Sequence, residues 1–162
     1  MRQKHGVAGT HRIEFVGLVK RANYRTGVEL GCGHGRLAAA LMAGCPDLQL
    51  TSVDYFRRPE WEAAARQALA PYGDRCRLLQ SSTHDAADQF ADGSLDFVFI
   101  DAGHQYPSVA DDIQRWWPKV RRGGWFGGHD FGSKHPGVDR AVAEVFGAKV
   151  GRLPGHIWWV TR

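Results

Sequence analysis

Nowhere does the sequence gather the roughly 18 consecutive apolar residues that a membrane-spanning helix requires, so a transmembrane segment is excluded from its reading. The opening stretch MRQKHGVAGTHR is basic but has no apolar core behind it, so no secretory leader is expected and the expected location is the cytoplasm. Cysteine is scarce. Cys32, Cys45 and Cys76 are odd in number and share no short paired spacing, which excludes a disulfide framework or cysteine zinc site and suits reduced thiols. Internal repeats, low-complexity tracts and Pro/Gly/Ser linkers are also missing. With 162 residues, one domain spanning 1–162 is expected, with an N-terminal helical segment over 1–24 and a core over 25–162. Strong basic patches are absent too: the net charge is +4, but Arg57-Arg58 and Arg121-Arg122 are isolated pairs, which argues against a nucleic-acid partner.

What the chain does contain is an alternation of short apolar runs and helical periods. Thr10 is placed to cap HRIEFVGLVKRA, whose Ile13, Val16 and Val19/Lys20 suit an amphipathic helix. GVEL then precedes helical RLAAALMAG, LQLTSV precedes a helix led by Pro59, and RCRLLQ precedes THDAADQFA. LDFVFI leads into SVADDIQRWW, and GGWFGG into GVDRAVAEVF. Parallel strands need long crossovers and helices supply them, so the pattern predicts an α/β fold, doubly wound around a mostly parallel seven-stranded sheet. GAKVGR and HIWWVT flank Leu153-Pro154-Gly155, and so predict a C-terminal antiparallel hairpin at the sheet edge.

VELGCGHGR sets Gly31, Gly33 and Gly35 between the first strand and its helix. In an open α/β sheet, ligands bind beyond the carboxyl ends of the strands, where the order reverses, and the first strand-to-helix loop usually lies there. Glycines let backbone approach a ligand closely. Glu29 would repel a phosphate there and favour a ligand bearing an ammonium or sulfonium group. Asp54, ending the second strand, is placed to accept hydrogen bonds from a ribose diol.

On these residues the chain resembles the class I S-adenosylmethionine-dependent methyltransferases, from about Val28 onward: VELGCGHG is similar to their first motif and SVDYF to their second. The resemblance implies a Rossmann-like methyltransferase fold and a cofactor site at Glu29, Gly31, Cys32, Gly33, Asp54, Tyr55, Ser82 and Asp101. Asp54 would hold the ribose, with Ser82 and Tyr55 near the adenine. From the residues alone, Ser82 and Thr83 read equally well as a helix cap.

A second constellation follows. FVFIDAGHQY ends an apolar run on Asp101 with His104 three residues on, and GGWFGGHDF ends the next strand on His129-Asp130. Adjacent strands would bring all four to one rim, where carboxylates and imidazoles can bind a divalent metal or move a proton. This pattern resembles the metal-dependent small-molecule O-methyltransferases, the catechol and caffeoyl-CoA types and their sugar-modifying relatives. The resemblance makes Asp101, His129 and Asp130 the candidate metal ligands and His104 the candidate general base. The sequence departs from that family where His stands at the base position in place of Lys, and where His129 opens the later pair. Imidazole titrates near neutral pH, which suits a base, but it is a poor ligand for Mg²⁺, so Mn²⁺, Fe²⁺ or Zn²⁺ fits the set better.

The remaining features have plainer readings. Trp116-Trp117 pack on the sheet, and Trp158-Trp159 point to opposite faces, one to the core and the other to a partner surface; a homo-oligomer is compatible with the chain. Asp111-Asp112 read as a solvated helix face, and His34 as a solvent-facing spacer. His5, His11, His84, His135 and His156 show no ligand spacing and read as surface or loop residues. FGSKHPG, from Phe131 to Gly137, is a candidate gating loop. The expected activity is S-adenosylmethionine-dependent O-methylation of a small hydroxylated molecule, a sugar or a phenol, with a divalent metal. The alternatives are a non-catalytic module that binds the same cofactor and an NAD-dependent oxidoreductase, the latter disfavoured by Glu29 and the terminal hairpin.

Overall fold

The computed structural model describes residues 9–162, and His5 lies outside them. The chain runs α1 (Thr10–Arg21), β1 (Thr26–Leu30), α2 (Arg36–Gly44), β2 (Gln49–Asp54), α3 (Pro59–Leu69), β3 (Cys76–Gln80), α4 (Thr83–Ala86), β4 (Leu95–Ile100), α5 (Tyr106–Trp116), β5 (Val120–Gly128), α6 (Pro136–Phe146), β6 (Gly151–Leu153) and β7 (Ile157–Thr161). The strands form one seven-stranded sheet in the order β3-β2-β1-β4-β5-β7-β6. β1 to β5 pair in parallel, and β7 and β6 close the edge antiparallel. The doubly wound sheet with a C-terminal hairpin is therefore as expected. α4 is shorter than the sequence suggests, a single turn continued by a 3₁₀ segment at Ala87–Gln89.

Side chains alternate along each strand, so the sheet has two cores. Val28, Leu30, Val98, Ile100, Phe126 and Trp158 face α5 and α6, where Val109, Ile113, Trp116, Val138 and Val142 meet them. Leu50, Phe97, Phe99, Trp125 and Ile157 face α1, α2 and α3, against Phe15, Val19, Leu37, Leu41 and Ala65. The two tryptophans of β7 do point to opposite faces: Trp158 is buried in the first core, and Trp159, partly exposed, packs against the second.

α1 differs from expectation in register. It follows Gly9 in the capping position, so Thr10 opens the helix and is not its cap. Phe15 and Val19, one turn apart, are the fully buried pair, while Ile13 is 75% exposed. The Phe15 ring lies 4.6 Å from Trp125 and 4.5 Å from Phe99. Three large rings on one side outweigh the aliphatic stripe, because burying an aromatic contributes about 2–3 kcal/mol.

Candidate active site

Ladder hydrogen bonds continue beyond the strand ends. Gly31 N–H donates to Val53 C=O at 2.8 Å, Asp101 N–H to Leu30 C=O at 2.7 Å, and His129 N–H to Ile100 C=O at 2.9 Å. Three turns thus leave the sheet at one level, at the point between β1 and β4 where the strand order reverses. A cleft of about 1090 Å³ opens over this rim, at the upper end of the size that small-molecule sites occupy.

The glycine turn forms one end of the cleft. Gly31, Gly33 and Gly35 all have positive φ, at 92°, 53° and 75°. At Gly31 a Cβ would also run into the Asp101 carbonyl, so glycine is what lets the first turn touch the fourth. Asp54 holds the turn from below: its carboxylate accepts from Gly33 N–H and from Phe56 N–H, each at 2.7 Å. Glu29, Gly31, Cys32, Gly33, Asp54, Tyr55 and Ser82 all line this cleft, Tyr55 at its mouth with 65% exposure. Ser82 also caps α4, accepting from Asp85 N–H at 3.0 Å, which is the cap reading of this residue. Cys32 is buried, and burial pushes its thiol further up from the ordinary range, which leaves no thiolate for chemistry.

Glu29 departs from the simple electrostatic picture. Its side chain sits on the α2-facing side of β1, only 2% exposed, and accepts from Ser52 Oγ at 2.6 Å. Burial raises its carboxyl to about 8, partly offset by the Ser52 hydrogen bond and reinforced by Asp101 and Asp54. The expected standing negative charge is thus corrected: without a cation beside it, the carboxyl keeps its proton near neutral pH.

At the other end lies the acid and imidazole cluster. His104 Nε2 stands 2.7 Å from Asp130 Oδ2, and His129 Nδ1 lies 3.4 Å from the same oxygen and 3.6 Å from Asp101 Oδ1. Burial alone would lower the His129 pKa, but the hydrogen bond and charge of Asp101, followed by those of Asp130, raise it. Asp130 holds a left-handed backbone, φ 67°, with its carbonyl accepting from Ser133 Oγ at 2.7 Å. Asp tolerates this backbone better than most residues, and the turn it makes brings its carboxylate toward the two imidazoles. Asp101 and His104 line the cleft, while His129 lines a narrow adjoining pocket shared with both. Two ligand atoms bonded to one dication at about 2.1 Å stand about 3.0–3.6 Å apart, so Asp101, His129 and Asp130 are spaced to hold a metal.

A family model of the methyltransferase domain matches residues 28–131, from the glycine turn through the acid and imidazole cluster. The chain belongs to that methyltransferase-domain family. A Mycolicibacterium vanbaalenii protein provisionally named an O-methyltransferase is 36% identical over 89 residues, covering 52% of this chain and 38% of that protein. A Mycobacterium tuberculosis protein of similar name matches at 36% identity, over 39% of its length, so this methyltransferase domain spans well under half of the curated relatives it matches. Among solved structures, the O-methyltransferase of Bacillus cereus in complex with SAH superposes with a TM-score of 0.76 at 19% identity, over 98% of this chain and 84% of that one. CalS11, a TDP-rhamnose 3'-O-methyltransferase of calicheamicin biosynthesis, superposes at 0.71 with 16% identity, over 94% of this chain and 78% of that one. At such identities these superpositions establish the fold.

The methyltransferase domain also recruits residues that sequence spacing did not single out. His11 of α1 sets its ring 4.4 Å from that of His129, and burial followed by the charge of His129 lowers its pKa. His135 stacks on His104 at 4.1 Å. Both line the cleft, which corrects their reading as surface residues. Of the loop from Phe131 to Gly137, only His135 reaches the cleft. Asp112 is likewise no solvated face: it is 2% exposed, lines the cleft, and burial raises its carboxyl to about 6 against the opposing Thr83 hydrogen bond. Its spacing from Val109, Ile113 and Trp116 places it on the core face of α5. Asp111 does face outward, paired with His84 at 3.0 Å. His34 is exposed, its ring 5.1 Å from that of Trp61. No helix among the described residues is long and apolar enough to cross a membrane.

Proposed function

We propose that this domain transfers a methyl group from S-adenosylmethionine to a hydroxyl of a small molecule, a sugar or a phenol, with His104 as the proton acceptor. The observation that carries the reading is contact between the two halves of the site: the glycine turn at Gly31 packs directly on the backbone of Asp101, three residues from His104. A donor lying over the turn, with its ribose on Asp54, would therefore present its methyl near the acid and imidazole cluster. The names of the relatives and the SAH bound in a structural neighbour support the same chemistry.

In this mechanism the substrate hydroxyl gives its proton to the His104 imidazole as its oxygen forms a bond to the methyl carbon. The carbon–sulfur bond breaks with its electron pair left on sulfur, so the products are a methyl ether, S-adenosylhomocysteine and a protonated imidazole. Asp130, 2.7 Å from His104 Nε2, orients that ring and stabilises its charge. A dication held by Asp101, His129 and Asp130 would supply Lewis-acid polarisation of the hydroxyl. Glu29, deep beside the turn, becomes charged when an ammonium or sulfonium lies against it, and so favours a cationic donor over a nucleotide phosphate.

The test is transfer of labelled methyl from S-adenosylmethionine to panels of sugars and phenols, with and without chelator. His104→Ala is expected to slow transfer about 10²–10⁴-fold while the donor Kd stays within about threefold. Donor binding without transfer to any acceptor would instead identify a non-catalytic binding module. Binding of NAD in place of S-adenosylmethionine would overturn the donor assignment.

A further inference from the structure

Asp130 belongs to two groups of ligating side chains. One is the Asp101–His129–Asp130 set; the other is His104, Asp130 and His135, whose ligating atoms also lie within 4.8 Å of one another. In this second group His104 Nε2 is 2.7 Å from Asp130 Oδ2, a hydrogen-bond distance that opens to about 3 Å when an ion replaces the shared proton, and the rings of His104 and His135 stack at 4.1 Å and 19°. His135 stands at the capping position of α6, immediately before Pro136, so its backbone is fixed by a helix start and not by a free loop. All three side chains are partly buried and both imidazoles open onto the cleft, which gives an ion an entry path.

The donor chemistry of the two groups differs. Asp101–His129–Asp130 is oxygen-rich and compatible with a hard or intermediate dication. His104–Asp130–His135 supplies two imidazoles and one carboxylate, a set that binds zinc-class ions far better than Mg²⁺ and leaves a coordination position for water. We propose that His104, Asp130 and His135 form a second metal seat, selective for Zn²⁺ and similar borderline dications, whose filling inhibits the enzyme. An ion bound at His104 Nε2, the nitrogen that faces Asp130, leaves the ring's one proton on Nδ1, so the neutral imidazole has no lone pair left to take the substrate proton, and the ion draws Asp130 away from the first set. The inhibition rests on the base role proposed for His104, whereas the zinc seat itself does not.

The test is Zn²⁺ affinity measured by competition with a calibrated chelator on wild type, His135→Ala, Asp101→Asn and Asp130→Asn, with thermal unfolding to check that each is folded. Co²⁺ absorption provides an independent spectroscopic reading of the same seat. Asp101→Asn is expected to retain tight Zn²⁺ binding, while His135→Ala and Asp130→Asn weaken it at least about tenfold, since loss of a direct ligand costs no less than loss of its supporting partner. In the transfer assay, the Zn²⁺ concentration that halves the wild-type rate should rise about as much in His135→Ala as its affinity falls. Wild-type Zn²⁺ affinity in His135→Ala, or loss of binding in Asp101→Asn as complete as in Asp130→Asn, would overturn the proposal. If no acceptor is methylated under any condition, the Zn²⁺ affinities still decide the seat, and only the transferase reading falls.

Discussion

Glu29→Gln removes a titration while keeping the volume and the Ser52 contact. Burial raises the Glu29 carboxyl from its ordinary 4.5 to about 8. Between those values the folded state retains a proton that the unfolded chain has released, so this group contributes stability at low pH that is lost as pH rises through about 8. The linkage relation converts the difference to at most about 5 kcal/mol, and relaxation of the site reduces what is observed to about 2–4 kcal/mol. The assay is urea unfolding of both proteins from pH 5 to pH 9. His129 and Asp112 also lose stability with rising pH, but they do so equally in both proteins, so the quantity that matters is the difference between the two curves. That difference should grow in favour of the glutamine variant as pH rises. A bound sulfonium donor would restore charge on Glu29, so near pH 7 binding should release a proton from wild type and none from the variant, measured calorimetrically in buffers of different ionisation enthalpy. Parallel stability curves would refute the reasoning, because they would mean that Glu29 carries its charge in the folded protein without help.

Gly31→Ala combines a left-handed backbone with a collision against the Asp101 carbonyl, and is expected to cost about 3 kcal/mol or more by thermal unfolding and to abolish donor binding. Asp54→Ala removes the acceptor for two loop N–H groups as well as the ribose contact proposed for it, so donor Kd measured by calorimetry should rise about 10–100-fold. Phe15→Ala should cost about 3–5 kcal/mol in denaturant unfolding by opening a hole between α1 and the Phe99–Trp125 pair, and Ile13→Ala less than about 0.5 kcal/mol.

The alternation of strands and helices, the edge hairpin and the rim that joins Gly31 to Asp101 were all legible in the sequence because each rests on local periodicity or on a strand end. What was not legible depends on which helix face wins. Ile13 fits a helical stripe as well as Phe15 does, and only the position of Trp125 across the sheet decides between them. Asp112 sits at the spacing of the core positions of α5, but a charged residue there reads as solvent-facing until Thr83 is known to lie opposite. His11 lies more than ninety residues from either His104 or His129, and His135, though only six residues after His129, stacks on His104 from across the loop between β5 and α6, a pairing that no spacing encodes. Glu29 was found, but its protonation depends on burial depth, which a one-dimensional pattern does not carry.

The left-handed backbone at Asp130 also shapes what a saturation library at that codon could teach. Only Gly, Asn and Asp enter that region of conformational space readily, so most replacements would report a rebuilt corner and not a missing carboxylate. Asparagine is the swap that leaves the hinge in place while erasing the charge. Variants that stay folded there should therefore cluster on a very short alphabet, and broader diversity at that codon would signal that the corner has refolded.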